Sequence, residues 1–153
     1  MSLVPPVPSL EFAFEVRAEL GALEDHGMTR VGHRRIIPVI GGTITGGFNG
    51  EILPGGADWQ TVRADGSIEI DGRYSARAHD GELLYIRARG VRSGDPGVLE
   101  ALLRGDDVDP ESYYFRAALQ LESATRPELE RSVYIASYIR EAHRVRYVAY
   151  RVT

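Results

Sequence analysis

Two of the chain's three Asp-Gly dipeptides, Asp65-Gly66 and Asp80-Gly81, stand fifteen positions apart, each between runs rich in β-branched, aromatic and alternating residues. An Asp-Gly pair in that setting is the strongest short-range hairpin signal, because a two-residue type I′ turn needs positive φ at both central positions. A meander is therefore expected, pairing residues 60–64 with 67–71 and residues 73–79 with 82–89.

Strict alternation marks further strands. In residues 10–20, Leu10, Phe12, Phe14 and Val16 fall on one side and Glu11, Glu15 and Arg17 on the other. Residues 113–121 set Tyr113, Phe115, Ala117, Leu119 and Leu121 against Tyr114, Arg116, Ala118 and Gln120. Residues 29–40 read as another extended run with Pro38 near its edge or end, after a polar connection at 21–27. Residues 133–140 and 145–152 read as an aromatic-rich pair around a turn at 141–144.

Helix signals are few. Residues 95–104 combine Asp95 at a capping position, Pro96 in the first turn and the apolar set Val98, Leu99, Leu102 and Leu103. A helical turn is expected at 126–130. With eight to ten strands and no strand-helix alternation, the fold class is all-β and antiparallel, a barrel with one or two short helices. Closure removes the edges that so many strands would otherwise expose, and a two-sheet sandwich is the rival. Residues 41–59 hold seven glycines and one proline, which suits kinks, bulges and tight turns. Residues 10–153 form one domain, and residues 1–9, with three prolines, form an extended arm.

Composition narrows the chemistry. With no cysteine, thiolate nucleophiles, disulfides and Cys-ligated zinc are excluded together. All 18 basic residues are arginine, so Schiff-base chemistry and a Walker A lysine are excluded as well. A net charge of −4, with arginines interleaved among acids, disfavours nucleic acid. No apolar run approaches the roughly 20 residues of a spanning helix, and the amino terminus lacks the charged and apolar regions of a secretory signal, so a cytoplasmic protein without membrane partners is expected. His26, His33, His79 and His143 show no ligand spacing, and Asp106, Asp107 and Asp109 lack the glycine and terminal Glu of a calcium loop. No metal and no cofactor are expected.

The run Pro38 to Gly46 (P-x-x-G-G-x-x-x-G), the P-G-G-A-D-W element from Pro54 to Trp59, the Arg73-Tyr74 strand and the Asp80-Gly81 hairpin resemble, in order and spacing, the domain of unknown function family 3237. The resemblance implies a small barrel of broadly calycin-like character, often a dimer, with no general activity established. Some relatives lie among genes for natural-product or aromatic-compound metabolism, which the resemblance extends to a small-molecule ligand here.

The candidate site is built on these elements. Asp58 is a candidate general base, Tyr74 a phenol donor and Arg35 a guanidinium able to polarise a carbonyl, the three as catalytic residues. Trp59, which could stack on a planar ligand, Asp80, His33 and Tyr85 are candidate ligand-binding residues. Each also has a plain structural reading: a turn acceptor, a barrel plug, a core filler or a surface ion pair. Two functions follow. One is a cofactor-independent acid/base enzyme, an isomerase, dehydratase or cyclase acting on a small aromatic or polyketide-like compound. The other is a non-catalytic protein that binds such a ligand. The aromatic C-terminal strands and the proline-rich arm further suggest a homodimer.

Overall fold

The computed structural model describes residues 1–153. Its strands are β1 (Leu10–Leu20), β2 (Glu24–Thr29), β3 (Gly32–Gly46), β4 (Gly50–Ile52), β5 (Gly56–Val62), β6 (Ile68–Ala78), β7 (Leu83–Gly94), β8 (Tyr113–Glu122), β9 (Val133–Arg140) and β10 (Arg144–Val152). One α-helix, α1 (Pro96–Leu103), and two 3₁₀ turns, Pro110–Ser112 and Pro127–Glu130, complete it. All pairings are antiparallel, in the order β1-β10-β9-β8-β7-β6 and then, through β4 and β5, to β3. A direct β1–β3 pairing closes the circle. β4 and β5 both lie between β3 and β6, so they share one stave and the barrel has eight. An eight-strand interior is just wide enough to be filled by side chains or to hold one small ligand. The barrel is therefore the observed fold, and the sandwich is excluded.

Local departures from expectation have physical reasons. Both Asp-Gly hairpins form, but only Gly66 and Gly81 take positive φ, and no non-glycine residue does. Arg63 N donates to Ser67 O and Gly66 N to Arg63 O, and Ala78 and Glu82 repeat the pattern around Gly81. These are type I turns followed by a left-handed glycine rather than type I′ turns, and Asp65 and Asp80 serve them by accepting from Ser67 N and Glu82 N. The polar connection expected at 21–27 instead contains β2, which pairs with β3 in a hairpin outside the barrel circuit. Asp95 makes no side-chain cap bond, so α1 rests on Pro96 and on burial of Leu99 and Leu102.

Barrel closure depends on close backbone approach. A Cβ on Gly42 would lie 1.9 Å from the Arg17 carbonyl oxygen, and its φ of 138° is one that other residues rarely adopt. Gly42→Ala is expected to cost more than about 3 kcal/mol, through clash plus strain at the β1–β3 seam. Urea unfolding of that variant measures it, and a midpoint unchanged from the parent would show that the seam yields.

The core divides the lumen in two. At the end holding the start of β1 and the β6–β7 hairpin, Phe14, Ile44, Phe48, Leu84 and Ile86 are almost completely buried and fill the interior. At the other end α1 spans the mouth: Leu99 reaches the position of Gly66 in the β5–β6 hairpin, while Gly105, just beyond α1, abuts Ala142 in the β9–β10 turn. Between the apolar plug and this helix, the lumen is open.

Candidate functional site

Inward positions on neighbouring staves decide what the open half contains. On β5, Asp58 and Gln60 face in; on β7, Ala88 and Arg92; on β9, Tyr138 and Arg140; on β6, Ile70, Gly72 and Tyr74. With Ile37, Val39, Phe115 and residues at the ends of β1 and β10, they line a small cavity of about 40 Å³. That is room for about three waters or a small polar group. Leu20, Arg140 and Val145 at the strand ends, together with Asp58, are its half-exposed lining residues, and they mark where it approaches solvent.

Asp58 is the one carboxylate in this lining. Its Oδ2 accepts from Gln60 Nε2 at 2.9 Å and its Oδ1 from the Asp71 backbone N–H at 3.1 Å. Burial raises its pKa, and these two bonds and the charge of Arg92 only partly offset that rise. The result is a carboxyl group able to hold a proton at a pH where an exposed aspartate would not.

Arg92 is the counterpart. Its residue is 4% exposed, its Nε is buried without a hydrogen-bond partner, and no carboxylate stands within ion-pair distance. The guanidinium lies over the Phe115 ring at 5.6 Å. Burial, with Arg140 and Arg35 nearby, lowers its pKa from 12.5 to about 10, so it stays charged at neutral pH. Arg140, at the mouth, donates to the carbonyls of Glu141 and Arg144, and burial lowers its pKa too. Arg35 faces inward beneath α1 among Val62, Ile68, Leu99 and Leu103, with Asp65 and Glu100 in the same wall, its Nε likewise buried and unpartnered. The Gln60 Oε1 atom is also buried without a donor.

The tyrosines form the floor. Tyr74 Oη and Tyr147 Oη share a 2.5 Å hydrogen bond. The Tyr147 ring tilts against Tyr138, which stacks on Phe115, each pair at 4.5 Å between centroids. Burial pushes the Tyr74 and Tyr138 hydroxyls well above the ordinary phenol range, so both are donors and neither is a base.

The structure splits the expected set. Asp58, Tyr74 and Arg35 do turn inward to the same half of the barrel, Asp58 and Tyr74 on one cavity and Arg35 beside it under α1. The remaining four do not join them. Trp59 follows Asp58 on a strand and so points the opposite way, onto the outer face, where Arg73 lies over its ring. Tyr85 is on that outer side near Trp59 and Arg73. His33 is outside the cavity, bonded to Asp25 at 2.6 Å, and Asp80 caps the hairpin at the far end. Sequence reasoning missed Arg92, Arg140, Gln60 and Tyr138. The signal was parity: Arg92 continues the inward series Leu84, Ile86 and Ala88, and Arg140 continues Tyr134, Ala136 and Tyr138. Among side chains that could ligate a metal, no group of three histidines or carboxylates comes together.

A closed eight-stave barrel with an apolar plug at one end and, at the other, a mostly apolar cavity carrying Asp58, Gln60, Arg92 and Arg140 defines the class of protein. Residues 8–152 match the family model described as protein of unknown function (DUF3237), and the chain belongs to that family. A UPF0311 protein of Bradyrhizobium diazoefficiens is 37% identical over 142 residues, which cover 92% of this chain and 93% of that protein. The crystal structure of a conserved protein of unknown function from Rhodopseudomonas palustris superposes with a TM-score of 0.91 at 33% identity, over 98% of this chain and all of that one. A β-barrel-like protein from Acinetobacter baumannii does so with a TM-score of 0.86 at 37% identity, over 99% and 100% of the two chains. An enzyme from Penicillium herquei shares the fold over the full length of both chains, with a TM-score of 0.72 at 18% identity.

Proposed function

We propose that this barrel is a cofactor-independent acid/base enzyme that moves a proton on a small carbonyl compound held in the lumen. The observation that carries the reading is the pairing of Asp58, a carboxyl whose pKa burial raises, with a buried guanidinium, Arg92, on the same cavity. Ionised Asp58 takes a proton from the carbon next to a carbonyl. The electron pair left behind moves into the carbonyl oxygen, and Arg92, fixed on Phe115, offsets the negative charge that develops there. Return of the proton from Asp58 to another carbon or to oxygen completes an isomerisation with no net redox change. A raised carboxyl pKa suits this work, because a proton carrier is most effective when its pKa lies near the working pH. Tyr74 and Tyr138, kept neutral by burial, supply fixed polar walls.

The small lumen bears on the substrate. A larger aromatic or polyketide-like compound enters by its reactive end, with its bulk at the mouth beside Leu20 and Val145. The enzyme among the structural neighbours supports a catalytic use of the fold, by likeness of fold alone. The test is proton exchange. Acetone and pyruvate, incubated in D₂O with the protein, are followed by loss of the methyl proton signal in NMR. Exchange faster than in a matched sample of the Asp58→Asn variant is expected for at least one probe. Equal rates for both proteins with both probes would retire the catalytic reading and leave a binding protein.

A further inference from the structure

The charges in the open half of the lumen do not balance. Arg92 and Arg140 line the cavity and Asp58 is its one carboxylate, whereas Arg35, in the neighbouring pocket under α1, has Asp65 and Glu100 in the same wall. Elsewhere on the barrel, arginines find acids: Arg63 pairs with Glu69 at 2.7 Å, Arg73 and Arg87 with Asp71 at 2.9 and 3.2 Å, and Arg126 with Glu82 at 2.9 Å. Arg92 is buried far more deeply than any of these and has no such partner. A buried arginine costs stability unless something neutralises it. Neither Asp58 nor a carbonyl does so at ion-pair distance, and the remaining surface of the pocket is mostly apolar or aromatic.

We propose that the lumen ligand is a small carboxylate, seated against the Arg92 guanidinium with Arg140 at the mouth, its reacting carbon turned towards Asp58. Only the last clause rests on the acid/base reading; the anion seat stands on the arrangement of charge and burial. A carboxylate fits for three reasons. Its planar pair of oxygens matches the guanidinium fork. Its size suits a cavity with room for about three waters. Its charge brings Arg92, Arg140 and Asp58 into balance, which a neutral ligand of the same shape does not. Phe115, stacked beneath the guanidinium, holds the fork in place before the ligand arrives.

The experiment titrates acetate and its neutral isostere acetamide into the whole chain by calorimetry at constant ionic strength, with sulfonate as the background anion. Wild-type protein is expected to bind acetate and to bind acetamide at least tenfold more weakly. Arg92→Gln is expected to weaken acetate by at least tenfold. Should Arg92→Gln fail to fold, Arg92→Lys keeps the charge while losing the fork and is expected to weaken acetate about three- to tenfold. Asp58→Asn, with the opposing carboxylate gone, is expected to bind acetate no more weakly than wild type. Equal binding of acetate and acetamide, or wild-type acetate affinity in the Arg92 variants, overturns the proposal. The two readings fail separately. Acetate held through Arg92 without exchange of either carbonyl probe supports the anion seat and retires the enzyme, whereas exchange of acetone without Arg92-dependent acetate binding retires the anion seat alone.

Discussion

Replacing Asp58 by asparagine is expected to slow proton exchange about 10²- to 10⁴-fold, the usual contribution of a positioned acid or base, and to stabilise the protein in a pH-dependent way. Both effects come from the same placement. The carboxyl faces the lumen, and burial raises its pKa against the pull of Gln60, the Asp71 N–H and Arg92. Because the folded-state pKa lies above the unfolded one, the folded protein binds more protons between the two values. The stability this confers is fully present below the ordinary aspartate range and is lost as pH rises through the raised folded pKa. Asparagine keeps the shape and cannot ionise. The Tm of Asp58→Asn minus that of the parent should therefore increase from pH 4 to pH 8. A difference that stays flat over that range would mean that Asp58 titrates as an exposed carboxylate, and its role as proton carrier would fall with it.

The architecture was legible because it rests on local patterns. Alternation of Phe14 and Val16 with Glu15 and Arg17, and of Tyr113 through Leu121, states which residues face in before any fold is known, whereas Leu10 and Phe12, expected on the same inward side, lie beyond a β-bulge and are exposed. The Asp-Gly pairs located two hairpins correctly even though their turn type differed, since a left-handed glycine is needed in both types. Closure was less visible. The β1–β3 seam pairs Arg17 with Thr43 and Ala18 with Gly42, and nothing in either segment names the other. Glycine at position 42 shows only that something comes close.

The site was half legible for a related reason. Asp58 and Trp59 were grouped as neighbours in a glycine-rich element, but neighbours on a strand point to opposite sides, and only Asp58 and Gln60 share the lumen. Arginine is so commonly a surface residue that Arg92 and Arg140 were not singled out, although each falls on the inward parity of its strand. An arginine in phase with Leu84, Ile86 and Ala88 is a buried cation written in the sequence. What parity does not reveal is whether a carboxylate from another stave meets it, and that depends on the barrel's register around its full circumference.

That missing partner sets the last expectation: Arg92→Met should make the protein more stable while removing its hold on anions. The folded structure lowers the Arg92 pKa from 12.5 to about 10, chiefly by burial and then by repulsion from Arg140 and Arg35. At 1.36 kcal/mol per pKa unit, this corresponds to a cost of roughly 3 kcal/mol in the charged form, and the residue is too buried for solvent to screen much of it. Because the pKa stays far above neutrality in both states, the guanidinium is charged, and the cost is present, at pH 7. Methionine keeps an unbranched apolar stem against Phe115 and drops the charge, giving up a cation–π contact of about 0.5–2 kcal/mol. The balance is a gain of about 1–3 kcal/mol, or a Tm raised by roughly 2–10 °C for a domain of this size. A stabilising substitution in the wall of a cavity is the usual mark of a group kept for function at the expense of stability. Thermal unfolding of Arg92→Met at pH 7 decides it. A loss of stability would show that Arg92 already has a neutralising partner inside the folded chain, and the argument for a carboxylate ligand would lose its premise.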